Sequence, residues 1–352
     1  MAWMKKLMAA AAVLIPFVLV AACDRNITYT EETAEPATCF NCHSDNNTFL
    51  VAAEAQWSKS KHASGDNIDR NYTSFGVPCL ACHTSEGWVA KVTTGTIPQE
   101  VENPTAIHCF TCHAPHTNND FIPLRLTSAP ALANGQSFDL GSANLCVSCH
   151  QSLRNVNTYV SGRVKLSDRW GPHHGVQGDM LIGTNGYEYE GYTYEQLLFH
   201  RTTTDNGCND CHFEKTSNYV LGGHSFNMEA EIEGEEALLT VACEKCHGEM
   251  DDFNYHSVQD SVQTLIGGLE GLLITAGLLA EEGEPTSVTT SADSAGAVWN
   301  YLMAWDDRSR GVHNSKYIIG LLQSSIEYIQ GSVEPPMAAS SVASNSGERA
   351  RN

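Results

Sequence analysis

The stretch Cys146-Val147-Ser148-Cys149-His150 contains the pattern that decides the fold of this chain. Two cysteines stand three positions apart, and a histidine directly follows the second. The pattern C-x-x-C-H occurs six times, at residues 39–43, 79–83, 109–113, 146–150, 208–212 and 243–247. It accounts for 12 of the 13 cysteines and leaves Cys23 outside. The motif starts lie 30 to 62 residues apart, which is too uneven for a solenoid repeat.

C-x-x-C-H is the attachment motif of c-type haem. Two thiols at this spacing can bond to the two vinyl groups of one porphyrin, and the adjacent histidine ligates the iron from one face. Zinc sites and redox dithiols also use C-x-x-C pairs, but neither requires a histidine directly after the second cysteine. The sequence therefore predicts six covalently attached haem c groups. The attaching cysteines are Cys39, Cys42, Cys79, Cys82, Cys109, Cys112, Cys146, Cys149, Cys208, Cys211, Cys243 and Cys246, and the motif histidines are His43, His83, His113, His150, His212 and His247.

A six-coordinate haem iron needs a second axial ligand, and nine of the 15 histidines lie outside the motifs. Nine candidates are enough for histidine at all six irons, whereas a methionine ligand would raise the potential. Met180 and Met228 each lie near a histidine, so we expect them to pack rather than ligate. His116 follows His113 by three residues and is expected to ligate a neighbouring haem. His62 is expected on a short helix that begins near Gln56.

Four stretches of the sequence between about residues 36 and 329 resemble elements of a known family. They are Cys112-His113-Ala114-Pro115-His116, the run from Pro172-His173-His174 to Asp179-Met180-Leu181, Gly222-Gly223-His224-Ser225-Phe226-Asn227-Met228, and Asp306-Asp307-Arg308-Ser309-Arg310-Gly311-Val312-His313-Asn314. They resemble CH-x-PH, HH-x-x-Q-x-D-M-L, GGH-S/T-F and D-x-S-x-GVHN elements of the multihaem c-type cytochromes of metal- and sulfur-cycling bacteria. More distant relatives include the pentahaem nitrite reductases and the octahaem and decahaem cytochromes.

The resemblance implies which histidines are the second axial ligands. In that family each of these elements presents such a histidine. Carried over to this chain they are His116, His173, His224 and His313, and a Ser-x-His-Ala element adds His62. The choice between His173 and His174 stays open and favours the first. For the one remaining second axial ligand we take His200, with His256 as the main alternative and His108 as a weaker one.

The N-terminus has the features of a bacterial lipoprotein signal. Lys5 and Lys6 precede sixteen uncharged residues, which are too few for a membrane-spanning helix and fit a secretory signal peptide. Val20-Ala21-Ala22-Cys23 resembles a lipobox, in which Cys23 carries the lipid; ordinary cleavage beside a cysteine is the alternative. We therefore expect an exported protein, lipid-anchored on the periplasmic side of a membrane or on the outer-membrane surface.

The rest of the chain is expected to be mainly α-helical with much irregular structure, as a multihaem cytochrome c fold organised around six haems. We expect a signal peptide at 1–22, a lipidated tether at 23–36, a six-haem region at 37–256, a C-terminal helical hairpin or bundle at 257–331 and a disordered tail at 332–352. The haem rings are expected to supply the apolar core of the six-haem region. In the helical region, Val258, Val262, Leu265, Leu269, Leu272, Ala276 and Leu279 form an apolar stripe that packs on another helix or forms an oligomer contact. Val298, Leu302 and Trp305 mark a second helix, and Ile318, Ile319, Leu322, Ile326 and Ile329 a third.

The net charge of -21 argues against nucleic-acid binding, which needs clustered Lys and Arg. We expect an electron carrier rather than an enzyme, because all six motifs are regular and the histidines outside the motifs can supply a second axial ligand to every iron. Its expected partners are quinol-linked cytochromes, a porin–cytochrome conduit or an extracellular acceptor. The alternative is a reductase of a nitrogen or sulfur oxyanion with one open iron, near which Arg163, Tyr187, His200 or His256 could lie.

Overall fold

The computed structural model describes residues 44, 47–64, 70, 72–74, 77–115, 123–196 and 199–332. The predicted signal peptide, the predicted lipidation site at Cys23, the predicted tether and residues 333–352 lie outside this part, as do Cys39, Cys42, His43 and His116. The described residues belong to one compact unit.

Helices dominate the described part, and most of them are short. The first seven are α1 (Thr48–Trp57), α2 (Leu80–His83), α3 (Ser85–Thr94), α4 (Cys109–Cys112), α5 (Ala143–Val147), α6 (Val156–Tyr159) and α7 (Gln177–Ile182). The next six are α8 (Phe199–Thr203), α9 (Cys208–His212), α10 (Val241–His247), α11 (Val258–Thr275), α12 (Ala292–Asp307) and α13 (Ser315–Ser332). Short 3-10 turns cover Lys61–Ala63, Gly223–Ser225 and Tyr255–Ser257. The mainly helical, irregular character expected from the sequence is confirmed.

The strands of the described part form three small antiparallel pairs. They are β1 (Thr73–Ser74) with β2 (Val77–Pro78), β3 (Arg163–Lys165) with β6 (Thr289–Ser291), and β4 (Glu229–Ile232) with β5 (Glu235–Leu238). The β3–β6 pair places Val164 opposite Thr290 and so joins the middle of the chain to the start of α12.

A hydrophobic core lies around α11, α12 and α13, with α13 packed against both of the others. This core also takes buried residues from the six-haem region, among them Val156, Trp170 and Met180. Trp170 contacts Trp299 of α12 with ring centroids 5.9 Å apart. Burial of an apolar side chain such as Val156 or Met180 contributes about 1.5–3 kcal/mol. Between residues 156 and 180 protein side chains fill this core, which differs from the expectation that haem alone supplies the apolar core of the six-haem region.

The buried face of α11 differs from the predicted stripe. Its fully buried residues are Val262, Ile266, Leu269 and Leu273, whereas Leu265 and Leu272 are half-buried at its edge. The helix ends at Thr275 because Gly277 adopts a left-handed φ of +70°, a common way to terminate a helix. Ala276 and Leu279 therefore lie beyond the helix.

The other two predicted C-terminal helices form, with one difference in burial. Val298 is fully buried in α12, but Trp305 is 55% exposed and stacks on the buried Tyr301. In α13, Ile318, Leu322 and Ile329 are buried in the core, and Ile319 and Ile326 pack against it. Ser332, predicted to begin the tail, is still part of α13. None of the helices within the described ranges combines the length and the hydropathy that a membrane-spanning helix requires.

Candidate functional site

Each C-x-x-C-H motif in the described part lies on or directly beside a short helix, namely α2, α4, α5, α9 or α10. On one helical turn, residues three positions apart share a face, so both cysteines of a motif point the same way. The turn is closed by a backbone bond from the motif histidine to the first cysteine. Its N–O distance is 3.0 Å for His83, 2.9 Å for His113 and 2.9 Å for His150.

Every motif histidine of the described part faces a second histidine from a distant part of the chain. The ring centroids are 6.1 Å apart for His83 and His173, 6.4 Å for His113 and His224, 6.1 Å for His150 and His62, 6.3 Å for His212 and His313, and 6.0 Å for His247 and His200. The sequence places none of these partners next to its motif.

This spacing fits a haem iron held between two imidazoles. A metal–imidazole bond is about 2.0–2.1 Å long, so two rings on opposite sides of one metal have centroids about 6 Å apart. A haem iron takes four ligands from the porphyrin and needs only two from the protein. Accordingly, the described residues contain pairs of histidines and no group of three or more His, Cys, Asp or Glu that could hold a metal ion.

Exposed apolar side chains close to the motifs in sequence are also consistent with a bound haem. Large apolar residues are normally buried, and a bound porphyrin would cover such side chains. Those exposed by 38–56% near the motifs are Phe110, Leu153, Tyr219, Val241 and Tyr255.

Polar contacts join neighbouring motifs into a continuous group. After the second motif, the indole of Trp88 donates to Ser148 Oγ of the fourth motif at 2.9 Å. Thr111 Oγ1 of the third motif donates to Ser85 Oγ at the start of α3, at 2.7 Å.

The fifth motif is tied to the fourth and to the sixth. Asn209 Nδ2 of the fifth motif donates to Ser142 Oγ, just before the fourth, at 2.7 Å. Lys245 of the sixth motif forms an ion pair with Glu214, which follows the fifth. The five described motifs are therefore neighbours in space as well as in sequence.

The cysteine thiols give the same order. The Cys82 side chain of the second motif lies beside that of Cys149 in the fourth. The Cys146 side chain of the fourth motif lies beside that of Cys208 in the fifth. The fourth motif thus lies between the second and the fifth.

His62 lies on a 3-10 turn that follows α1, not on a helix begun near Gln56 as predicted. Trp57 ends α1, and Ser60 caps the separate turn Lys61–Ala63 by accepting from the Ala63 amide at 3.3 Å. The α1 segment also reaches the segment of His224, because Gln56 Oε1 accepts from the His224 amide at 3.0 Å.

The segment after His173 is pressed closely against the fourth motif. His173 has a left-handed φ of +75°, which is unusual for a residue with a side chain. The Gly178 amide donates to the His150 carbonyl at 2.9 Å, and a Cβ at Gly178 would lie 2.8 Å from that oxygen. Glycine is therefore required here by close backbone approach. His174 faces Asp306, with Nδ1 3.1 Å from Oδ1, so it is His173 that lies opposite His83.

Of the three candidates for the sixth place, His200 is the one that faces a motif histidine. Its Nδ1 lies 2.8 Å from the Val312 carbonyl, which orients the ring. His108 instead caps α4, where Nδ1 accepts from the Phe110 amide at 3.2 Å. His256 stacks on Tyr255, which in turn contacts His247.

The residues that could have surrounded an open iron lie at different places. Tyr187 donates to Asp293 near the start of α12 at 2.6 Å, and Arg163 donates to Thr289 of β6. His200 instead contacts Val312, beyond the other end of α12.

Burial keeps most of these imidazoles neutral, which is the form that binds a metal. It lowers the pKa of His62 and of His173 to about 4. It also lowers the pKa of His83, His200, His212 and His224. His313 differs: burial lowers its pKa, but the nearby Asp307 carboxylate outweighs burial and raises it overall.

Sequence reasoning did not single out the residues that orient the histidines. Gln177 Oε1 lies 3.3 Å from His150 Nδ1, and Asp307 Oδ1 lies 2.6 Å from His313 Nδ1. Both lie inside the family-like elements quoted above, so those elements could have identified the residues that orient the histidines.

Comparison with solved structures finds a cytochrome with a similar fold. The crystal structure of the outer cell wall cytochrome OcwA superposes with a TM-score of 0.51 at 18% sequence identity. The match covers 78% of this chain and 50% of that one, so this chain spans about half the length of that cytochrome. No protein-family model and no curated protein matches the sequence. At this identity the likeness establishes a shared fold.

Proposed function

We propose that this chain is a hexahaem c-type cytochrome that transfers electrons between redox partners. One observation carries the proposal: all five described C-x-x-C-H histidines face a second histidine at 6.0–6.4 Å between ring centroids. The fold shared with a cytochrome supports it. When bound, each haem supplies a one-electron Fe(III)/Fe(II) couple.

We assign the axial ligands by these pairs: His83 with His173, His113 with His224, His150 with His62, His212 with His313, and His247 with His200. By elimination His116 is assigned to the first motif, whose His43 also lies outside the described residues. His108, His174 and His256 are then not ligands.

The protein residues favour electron transfer over substrate turnover. Two histidines at an iron leave no position for a substrate, and the buried, neutral imidazoles hold that arrangement at neutral pH. The polar contacts between motifs keep neighbouring haem sites adjacent, which short-range electron transfer requires. The order that these contacts support runs from the second motif through the fourth and fifth to the sixth, with the third beside the second.

We further propose that the protein is exported and lipid-anchored through Cys23. Its partners would be quinol-linked cytochromes, a porin–cytochrome conduit or an extracellular acceptor in extracellular respiration. The net charge of -21 favours partners with basic surfaces and makes association sensitive to salt. Cys23→Ser is expected to move the protein from the membrane fraction to the soluble fraction with its haems intact. Continued anchoring of the variant would contradict lipidation.

The function is tested by reductive titration followed by mixing with acceptors. We expect the purified protein to take up six electrons per chain and to pass them rapidly to an oxidised c-type cytochrome or to a soluble ferric chelate. Nitrite, hydroxylamine and tetrathionate should leave the reduced protein unchanged. Steady turnover of any of these three would instead identify a reductase with one open iron.

A further inference from the structure

Asp307 and His313 form a buried couple at the end of α12. Asp307 Oδ1 lies 2.6 Å from His313 Nδ1, and Asp307 is only 3% exposed. Ser309 Oγ donates to the other carboxylate oxygen and accepts from the His313 amide at 3.2 Å. The carboxylate is thus fixed on one side by Ser309 and on the other by the imidazole.

The contact determines which ring nitrogen of His313 is available. An ionised carboxylate can only accept a hydrogen bond, so Nδ1 carries the hydrogen and donates a hydrogen bond to Asp307. Nε2 then has the lone pair and is free to ligate a metal. The ring also faces His212, with the centroids 6.3 Å apart.

Three other assigned ligands have uncharged acceptors at Nδ1. His200 faces the Val312 carbonyl at 2.8 Å, and His212 faces the Phe226 carbonyl at 3.0 Å. His150 faces the Gln177 amide oxygen at 3.3 Å. A full negative charge at 2.6 Å polarises the N–H bond more strongly than these dipoles do and makes the imidazole a stronger electron donor.

We propose that Asp307 is a positioning residue that lowers the reduction potential of the haem held between His212 and His313. The proposal rests on the ligand assignment above. A stronger donor and a nearby negative charge both stabilise Fe(III) relative to Fe(II). Reduction adds one electron at the iron, and the Nδ1 proton stays in its hydrogen bond. Because the fifth motif lies between the fourth and the sixth, the lowered potential belongs to a haem in the interior of the row of motifs.

The test is a spectroelectrochemical titration of the fully haem-loaded protein and its Asp307→Asn variant. Asn keeps the shape and can accept the hydrogen bond but removes the charge. We expect the midpoint potential of one haem to shift upward, the other five to stay in place, and one low-spin resonance to move in the electron paramagnetic resonance spectrum. Unchanged potentials would overturn the proposal.

A neighbouring carboxylate provides the matched control. Asp306→Asn removes the same charge one residue away, where it faces His174, a residue outside the assigned pairs. We expect no comparable shift, and an equal shift would show a general charge effect and overturn the proposal. Ser309→Ala leaves the carboxylate in place, so the potential should stay constant or fall; a rise like that of Asp307→Asn would also contradict it.

Two further variants distinguish the proposal from the ligand assignment and from misfolding. Asp307→Glu retains the charge and should restore the low potential at least in part if Asp307→Asn is poorly folded; a potential as high as that of Asp307→Asn would overturn the proposal. His313→Ala should alter the spectrum of one haem. If it alters none, the ligand assignment has failed; if it alters one while Asp307→Asn shifts no potential, only the role of Asp307 has failed.

Discussion

The imidazole rings of His62 and His150 face each other with centroids 6.1 Å apart, although they belong to different segments of the chain. His150 ends the fourth C-x-x-C-H motif, and His62 lies on a 3-10 turn after α1. The pair brings the N-terminal segment onto the fourth motif. The pair therefore holds two distant segments of the chain together, in addition to its proposed role as the two axial ligands of one haem.

Replacing His62 should open one iron without removing its haem. In His62→Ala the two cysteines of the fourth motif still hold the porphyrin, so six haems remain. One iron loses an axial ligand and becomes high-spin or binds an added ligand such as cyanide. Optical and electron paramagnetic resonance spectra measure this change. His108→Ala is the control, because His108 caps α4 and should cost about 1 kcal/mol of stability while leaving every spin state unchanged. An unaltered spectrum of His62→Ala would refute the pair.

A second pair of variants determines which histidine is the second axial ligand at the sixth motif. His200→Ala should convert one haem from low-spin to high-spin, because His200 faces His247. His256→Ala should leave all spin states unchanged, since its ring contacts Tyr255. The same spectra serve for both. If His256→Ala gave the high-spin haem and His200→Ala did not, the assignment at the sixth motif would be wrong.

Removing both thiols of one motif should remove one haem. The double variant Cys208→Ala with Cys211→Ala is expected to carry five haems, because the other motifs attach theirs independently. Intact mass under denaturing conditions counts covalent haems directly. Cys23→Ser is the control, as it also removes a thiol and should keep six. A mass with six haems in the double variant would exclude the fifth motif as an attachment site.

Asp179 should make stability depend on pH in a defined direction. Burial raises the pKa of this carboxyl from 3.8 to about 6, while the Ser152 amide donates to it at 2.7 Å. Between these values the folded state holds a proton that the unfolded state has released, so this contribution to stability decreases as the pH rises from about 4 to about 6. The decrease is on the order of 3 kcal/mol and is absent in Asp179→Asn.

Denaturant unfolding of the haem-loaded protein and of Asp179→Asn across this pH range checks the prediction. The variant should gain stability relative to the wild type as the pH rises, and the difference should level off above about pH 6. A difference that does not change with pH would show that Asp179 titrates normally.

The positions of the motifs could be predicted from the sequence, because the C-x-x-C-H pattern identifies residues such as Cys146, Cys149 and His150 directly. The partner of each motif histidine could not, because the pairing of His62 with His150 depends on long-range packing. The choices of His173 over His174 and of His200 over His256 depend on backbone geometry and neighbouring acceptors, which a single sequence does not contain.

For the C-terminal helices, too, the sequence predicts one part of the structure and not the other. Their existence follows from the apolar periodicity, but the buried face of α11 is centred on Ile266 and Leu273 rather than on Leu265 and Leu272. Two neighbouring helices, not the periodicity alone, determine which side is buried. The contribution of Val156 and Trp170 to this core has no local signal, since it depends on how distant segments meet.

The central claim is that every iron has two histidine ligands. The most direct test is the near-infrared magnetic circular dichroism of the oxidised protein, scaled to its haem content. Six low-spin bis-histidine haems per chain, unaffected by added nitrite, is the result that this structure predicts. A high-spin signal equal to one haem that shifts when nitrite is added would contradict it.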